Sequence, residues 1–149
     1  MTLATTILMI RPAAFSVNEE TAGSNSFQTT VQLSDKQGIQ QSALEEFDNM
    51  IEVLENHDID VLIIDDTPEP IKPSAVFPNN WISTSPEGIV WIFPMYAANR
   101  RPEKREDILK TLGEKFVVKD MQDWSEYEVE GKYLEGTGSM VMDHDNKVV

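Results

Sequence analysis

Two short apolar runs set the limits on what this chain can fold into. TILMI at residues 6–10 and DVLIID at 60–65 are too short for buried helices, and each meets a breaker: Arg11-Pro12 after the first, the proline-rich TPEPIKP after the second. Short apolar runs bounded by proline read as buried strands. Between them, Ile39, Ala43, Leu44, Phe47, Met50, Ile51 and Leu54 recur at helical spacing and form one apolar stripe, which predicts a helix over 39–57. Ser34 or Asp35 is placed to cap it. The polar stretch 13–36 is too long for a plain connection, so a binding loop, a lid or a disordered segment is expected there.

The second half repeats the theme with more strands. Residues 76–84 and 89–93 flank a Ser-Pro-Glu-Gly turn and predict a hairpin. Pro102 suits the first turn of a helix that carries Ile108, Leu109 and Leu112 and closes near Gly113. A short strand is expected at 116–118, an irregular acidic region at 121–133, and a glycine-interrupted strand at 134–142. Asp143-His144-Asp145-Asn146 then reads as a hairpin turn, with 147–149 opening the return strand. The middle section is thus strand, strand, helix, strand, and the segment from Leu134 looks like the same unit beginning again. Such repetition in an α/β chain suggests a closed, propeller-like arrangement. A chain that stops in the opening residues of a hairpin strand is expected to be the N-terminal portion of a larger domain. Its unpaired strands would favour self-association, and a homo-oligomer is one outcome.

Composition narrows the chemistry. With 26 acidic and 12 basic residues the net charge is −14, which repels nucleic acid and anionic membrane surfaces. No cysteine is present, so neither a disulfide nor a cysteine nucleophile lies within these residues, in keeping with a cytoplasmic protein. His57 and His144 have no partners at metal-ligand spacing, so no metal site is expected. Gly136-Thr137-Gly138 lacks the third glycine and the lysine of nucleotide-binding loops, and no cofactor is implied.

Four segments, in order, carry a resemblance. They are Ile7-Leu8-Met9-Ile10-Arg11-Pro12 with Asn25-Ser26-Phe27; Phe77-Pro78-Asn79-Asn80-Trp81; Pro94-Met95-Tyr96 with Asn99-Arg100-Arg101; and Leu134-Glu135-Gly136-Thr137-Gly138-Ser139. Together they resemble the guanidine-modifying (pentein, or amidinotransferase-like) superfamily, and most closely its citrulline-utilisation hydrolases. The resemblance implies five strand-strand-helix-strand units around a pseudo-fivefold axis, of which residues 1–149 would form the N-terminal part of a single catalytic domain. It also implies a cysteine thiolate attacking the central carbon of a guanidino or ureido group, a histidine moving protons, and acidic residues holding the nitrogens. In that superfamily the cysteine and histidine lie in the second half of the chain, which would place them beyond Val149.

The resemblance assigns roles residue by residue. Glu135 stands where the superfamily has a catalytic carboxylate, usually within Glu-Gly-Gly-Asp; here the motif reads Glu-Gly-Thr-Gly, without the later aspartate. A carboxylate there accepts two N–H bonds from a planar substrate and orients it for attack. Asn80 stands where arginine-processing members carry an aspartate. The neutral amide removes one negative charge and suits an uncharged ureido group, which favours citrulline over arginine. Read without the resemblance, Asn79-Asn80 is a turn before a strand. Asn25 is a candidate for a substrate lid, and Arg100 for holding a substrate carboxylate through its planar fork. Two other functions stay open: a non-catalytic module that binds an amino acid, and an arginine deiminase-like or amidinotransferase activity.

Overall fold

A computed structural model describes residues 5–23, 36–141, 143, 146 and 148. The chain divides into two compact units, Thr2–Phe77 and Pro78–Val149. The expected cap at Ser34 or Asp35 lies outside the described residues.

In Thr2–Phe77, strand β1 (Thr6–Arg11), helix α1 (Lys36–Glu55) and strand β2 (Asp60–Asp65) follow in order. β1 and β2 pair in parallel, with Leu8 opposite Leu62 and Ile10 opposite Ile64. Ile10, Phe47, Ile51 and Leu62 are buried, and each such side chain contributes roughly 1.5–3 kcal/mol. The stripe of α1 is narrower than its periodicity predicts, because Met50 remains half exposed, and Ile63 of β2 is exposed too. α1 ends before His57, and Asp58 then takes a positive φ of 57° in the left-handed conformation that closes many helices. Arg11 crosses to the helix and forms two bonds to Asp48, Nε to Oδ1 at 3.1 Å and Nη2 to Oδ2 at 2.8 Å. Gln40 fastens the helix to the segment after β1, accepting from the Phe15 N–H at 2.5 Å and donating to the Pro12 carbonyl at 2.7 Å. In the proline-rich segment, Lys72 is almost wholly buried and donates to Thr67 O, Thr67 Oγ1 and Pro70 O at 2.9, 2.9 and 2.7 Å.

Pro78–Val149 contains the expected strand-strand-helix-strand unit: β3 (Ile82–Thr84), β4 (Ile89–Ile92), α2 (Glu106–Lys115) and β5 (Asp120–Asp123). β4 is central, antiparallel to β3 and parallel to β5. Val90 and Ile92 alternate inward along β4, while Ile108 and Leu112, one turn apart on α2, are also buried. Trp81 and Met95 are fully buried beside the ends of β3 and β4.

Several expectations need correction. The predicted strand 76–84 survives only as β3, because Pro78 lacks an N–H and Asn79-Asn80 favour a turn, so Pro78–Asn80 is a 3-10 turn. Pro102 sits inside a separate 3-10 segment, Ala98–Glu103, ahead of α2. Gly113 lies within α2, and the helix stops at Phe116. The strand predicted at 116–118 is displaced to β5 in the acidic stretch, where the Lys119 N–H donates to Gly88 O at 2.8 Å. All four β5 side chains are exposed, which is why no apolar pattern marks it. Within the glycine-interrupted strand expected at 134–142, Leu134 and Glu135 are irregular and lead into one helical turn, α3 (Gly136–Ser139), while Met142 lies outside the described residues. The terminal hairpin turn is seen as an antiparallel bridge between Asp143 and Val148. The mixed α/β class stands, and among the described residues the two sheets remain open, with two and three strands.

Candidate active site

The candidate site lies within Pro78–Val149, where two of the motifs are folded against each other. The 3-10 turn Pro78–Asn80 meets α3 at backbone distance. A Cβ built on Gly136 would come within 2.3 Å of the Asn79 carbonyl oxygen, and Gly136 itself has φ +43°. Only glycine takes that conformation without strain and leaves that room. Two residues further, the Asn80 carboxamide occupies the space of a side chain at Gly138, with Nδ2 2.2 Å from the Cβ position. Asn79 Nδ2 donates to the Thr137 hydroxyl at 2.9 Å, and that hydroxyl faces the Asn79 carbonyl at 3.4 Å. The spacing of the glycines is therefore explained by what they touch.

Glu135 precedes α3, and its side chain is one-fifth exposed. Its own N–H donates to Ser139 Oγ at 3.2 Å, and its carbonyl accepts from the Gly138 N–H at 2.8 Å. Its Oε1 accepts from the Tyr96 N–H at 2.9 Å, while Oε2 lies 3.9 Å from Arg100 Nη1. The carboxylate is thus oriented on both oxygens yet still open to solvent on one side. Next to it, the exposed rings of Tyr96 and Tyr133 stand perpendicular, with centroids 5.2 Å apart.

Arg100 is placed differently from a solvent-facing carboxylate clamp. It is 5% exposed, and its fork closes on Glu103, Nε to Oε1 and Nη2 to Oε2, both at 2.9 Å. A bidentate buried pair is a positional device, and its third reach is toward Glu135. The neighbouring Arg101 faces the chain itself, with Nε 3.2 Å from the Met95 carbonyl and 3.3 Å from Glu128. Asn25 lies outside the described residues.

Two residues at the site carry no motif in the sequence. Glu103 is the buried partner of Arg100. Glu128 accepts the Met95 N–H at 2.7 Å, pairs with Arg101 and binds Lys104. The N–H groups of two consecutive residues, Met95 and Tyr96, are thereby held by two different carboxylates, Glu128 and Glu135. Among the described residues no group of three or more His, Cys, Asp or Glu is arranged to hold a metal ion. None of the described helices is long and apolar enough to cross a membrane.

Comparison with known proteins places the chain in the guanidine-modifying, pentein-type superfamily. A family model described as "N,N dimethylarginine dimethylhydrolase, eukaryotic" matches residues 11–149, and the chain belongs to that family. The apo crystal structure of ArgZ, an arginine dihydrolase from the ornithine-ammonia cycle in cyanobacteria, is similar in fold, with a TM-score of 0.59 at 18% identity. That match covers 94% of this chain and 19% of ArgZ. No curated protein matches the sequence.

Proposed function

We propose that the complete protein hydrolyses the guanidino or ureido carbon of an arginine-derived amino acid, with the ureido group of citrulline preferred. These residues would form the N-terminal part of a single catalytic domain and supply Glu135 and Asn80. The observation that supports this most is the seating of Asn79-Asn80 against the segment that carries Glu135. Glu135 would accept N–H bonds from the planar group and hold its carbon in line for attack. Asn80 would offer a neutral donor and acceptor to a neutral urea. The attacking thiolate and the proton-carrying histidine that the resemblance implies would come from outside these residues, which contain no cysteine. The bond from that carbon to the departing nitrogen would break as the nitrogen takes up a proton, and water would then cleave the carbon–sulfur bond and return the thiol. A guanidino substrate would give citrulline with ammonia or dimethylamine, and citrulline would give ornithine, carbon dioxide and ammonia.

A guanidinium substrate such as dimethylarginine is the second reading, and the family match favours it. In that case Glu135 would meet a full positive charge, and the pairing would be stronger than with a urea.

The test is turnover of citrulline, arginine and dimethylarginine by the complete gene product, read as ammonia or dimethylamine released. The highest kcat/KM with citrulline supports the ureido preference. Faster turnover of arginine or dimethylarginine would replace it with the second reading. Binding without turnover of any of the three would sink the hydrolase reading and leave an amino-acid-binding module. In an active enzyme, Glu135→Gln is expected to lower kcat by roughly 10²-fold or more, as expected when the reacting carbon is no longer held in line.

A further inference from the structure

We infer that Thr137 and Gly138, the two places where the motif departs from Glu-Gly-Gly-Asp, are positioning residues that set the pose of Asn79-Asn80 and through it the choice between ureido and guanidino substrates. This rests on the proposed hydrolase function and extends it from the carboxylate to its neighbours.

The geometry separates the two glycines of the motif. At Gly136 a side chain would meet backbone, the Asn79 carbonyl oxygen at 2.3 Å, in a left-handed conformation. Neither obstacle can move aside cheaply, so Gly136 serves the fold. At Gly138 the nearest atom is the tip of a side chain, Asn80 Nδ2 at 2.2 Å. A side chain at 138 would be admitted only by shifting the Asn80 side chain, since Asn80 Cγ at 3.3 Å is also tight and must give by a few tenths of an ångström, whereas Glu135 Cβ at 3.8 Å is an ordinary contact. Gly138 therefore reserves space for the Asn80 carboxamide beside Glu135. Thr137 fixes the preceding residue from the other side, through the bond from Asn79 Nδ2 at 2.9 Å. A hydroxyl both accepts and donates, so one threonine engages the amide nitrogen and faces the backbone carbonyl of the same asparagine. An aspartate at this turn would supply charge; the Thr-Gly pair supplies a neutral lock and the room that the Asn80 carboxamide fills. That combination keeps a neutral amide in place where a cationic substrate would call for an acid.

The experiment compares kcat/KM for citrulline with that for dimethylarginine in the complete gene product and its Gly138→Ala, Thr137→Val and Thr137→Ser variants, alongside their melting temperatures. Gly138→Ala and Thr137→Val are each expected to move the substrate ratio by about tenfold, the scale of one lost or displaced hydrogen bond. Thr137→Ser, which keeps the hydroxyl, restores it. If Thr137→Val does not fold, Asn79→Ala breaks the same bond from the other end and is read in the same way. An active enzyme whose ratio stays constant in Gly138→Ala and Thr137→Val, with rates for both substrates falling together, overturns the positioning role and leaves the hydrolase reading in place. A wild-type protein that turns over neither substrate overturns the hydrolase reading and this inference with it.

Discussion

Thr2–Phe77 and Pro78–Val149 each bury a long cation, and they use it in opposite ways. Lys72 ends in a closed cage: three acceptors from Thr67 and Pro70 lie within 2.9 Å and Asp66 Oδ1 at 3.2 Å, all contributed by one proline-rich segment. An ammonium has three donors, so the cage satisfies it and reaches nothing further. Arg100 ends in a planar fork of five N–H donors. Two of its bonds close on Glu103, and Nη1 still points to Glu135 at 3.9 Å. The lysine staples a loop, whereas the arginine links the interior to a candidate catalytic group. Shape decides the difference, since a compact ammonium ends a network and a flat guanidinium can bridge two carboxylates.

The contrast can be broken or sharpened by substitution. Lys72→Met leaves Asp66 buried without its cation, and urea denaturation should show a loss of about 3–5 kcal/mol. A melting curve unchanged from wild type would mean the cage contributes nothing and would remove one side of the comparison. Glu103→Gln keeps the shape and removes the charge, and a loss of about 2 kcal/mol is expected. Under the proposed hydrolase function its sharper readout is at the site: Arg100, released from Glu103, is expected to turn toward Glu135 and raise KM in the complete gene product. Glu128→Gln retains an acceptor for Met95 but weakens the hold of Arg101 and Lys104, for an expected loss of about 1 kcal/mol.

The smallest effects are at exposed pairs. Arg105 bonds Asp107 through Nε and Nη2 and holds its carboxyl below the usual aspartate range, and Arg11 does the same to Asp48. A depressed folded-state pKa stabilises the fold above the unfolded value of about 3.9 and loses that contribution as pH falls through the folded value. Acid melts of Asp107→Asn and Asp48→Asn should therefore stay apart from wild type at about pH 4 and converge on it only as pH falls through the depressed folded-state values, below the ordinary aspartate value of about 3.9. At neutral pH, solvent screening limits the Asp107 difference to about 0.3 kcal/mol.

What could be read from the sequence follows from where apolar side chains went. β1, α1 and β2 are regular elements whose buried faces carry Ile10, Phe47, Ile51 and Leu62, so periodicity marks them. The hairpin β3–β4 is marked in the same way by Ile82, Val90 and Ile92. β5 is invisible because it joins the sheet through backbone groups alone while every side chain faces solvent. α3 is misread as strand because its glycines answer to Asn79 and Asn80, residues far away in the chain. At the site, Glu135 and Asn80 are found through motif order. Glu103 and Glu128 are missed because, among 26 acidic residues, nothing local separates a buried carboxylate from a solvated one. Their partners, Arg100 and Arg101, are the one hint, since a cation pair ahead of an amphipathic helix needs counter-charges if it turns inward.

The central place of β4 also has a kinetic consequence. Val90 pairs with Thr84 across a tight turn on one side and with Met121, beyond the whole of α2, on the other. The hairpin closes by a local event on the microsecond scale, while the parallel edge must wait for the intervening helix to form and its loop entropy to be overcome. β4 should therefore acquire its hydrogen-bond partners in two instalments. Pulse-labelled amides of the β3–β4 ladder would gain protection first, and those bonded to β5 would follow as a distinct later phase.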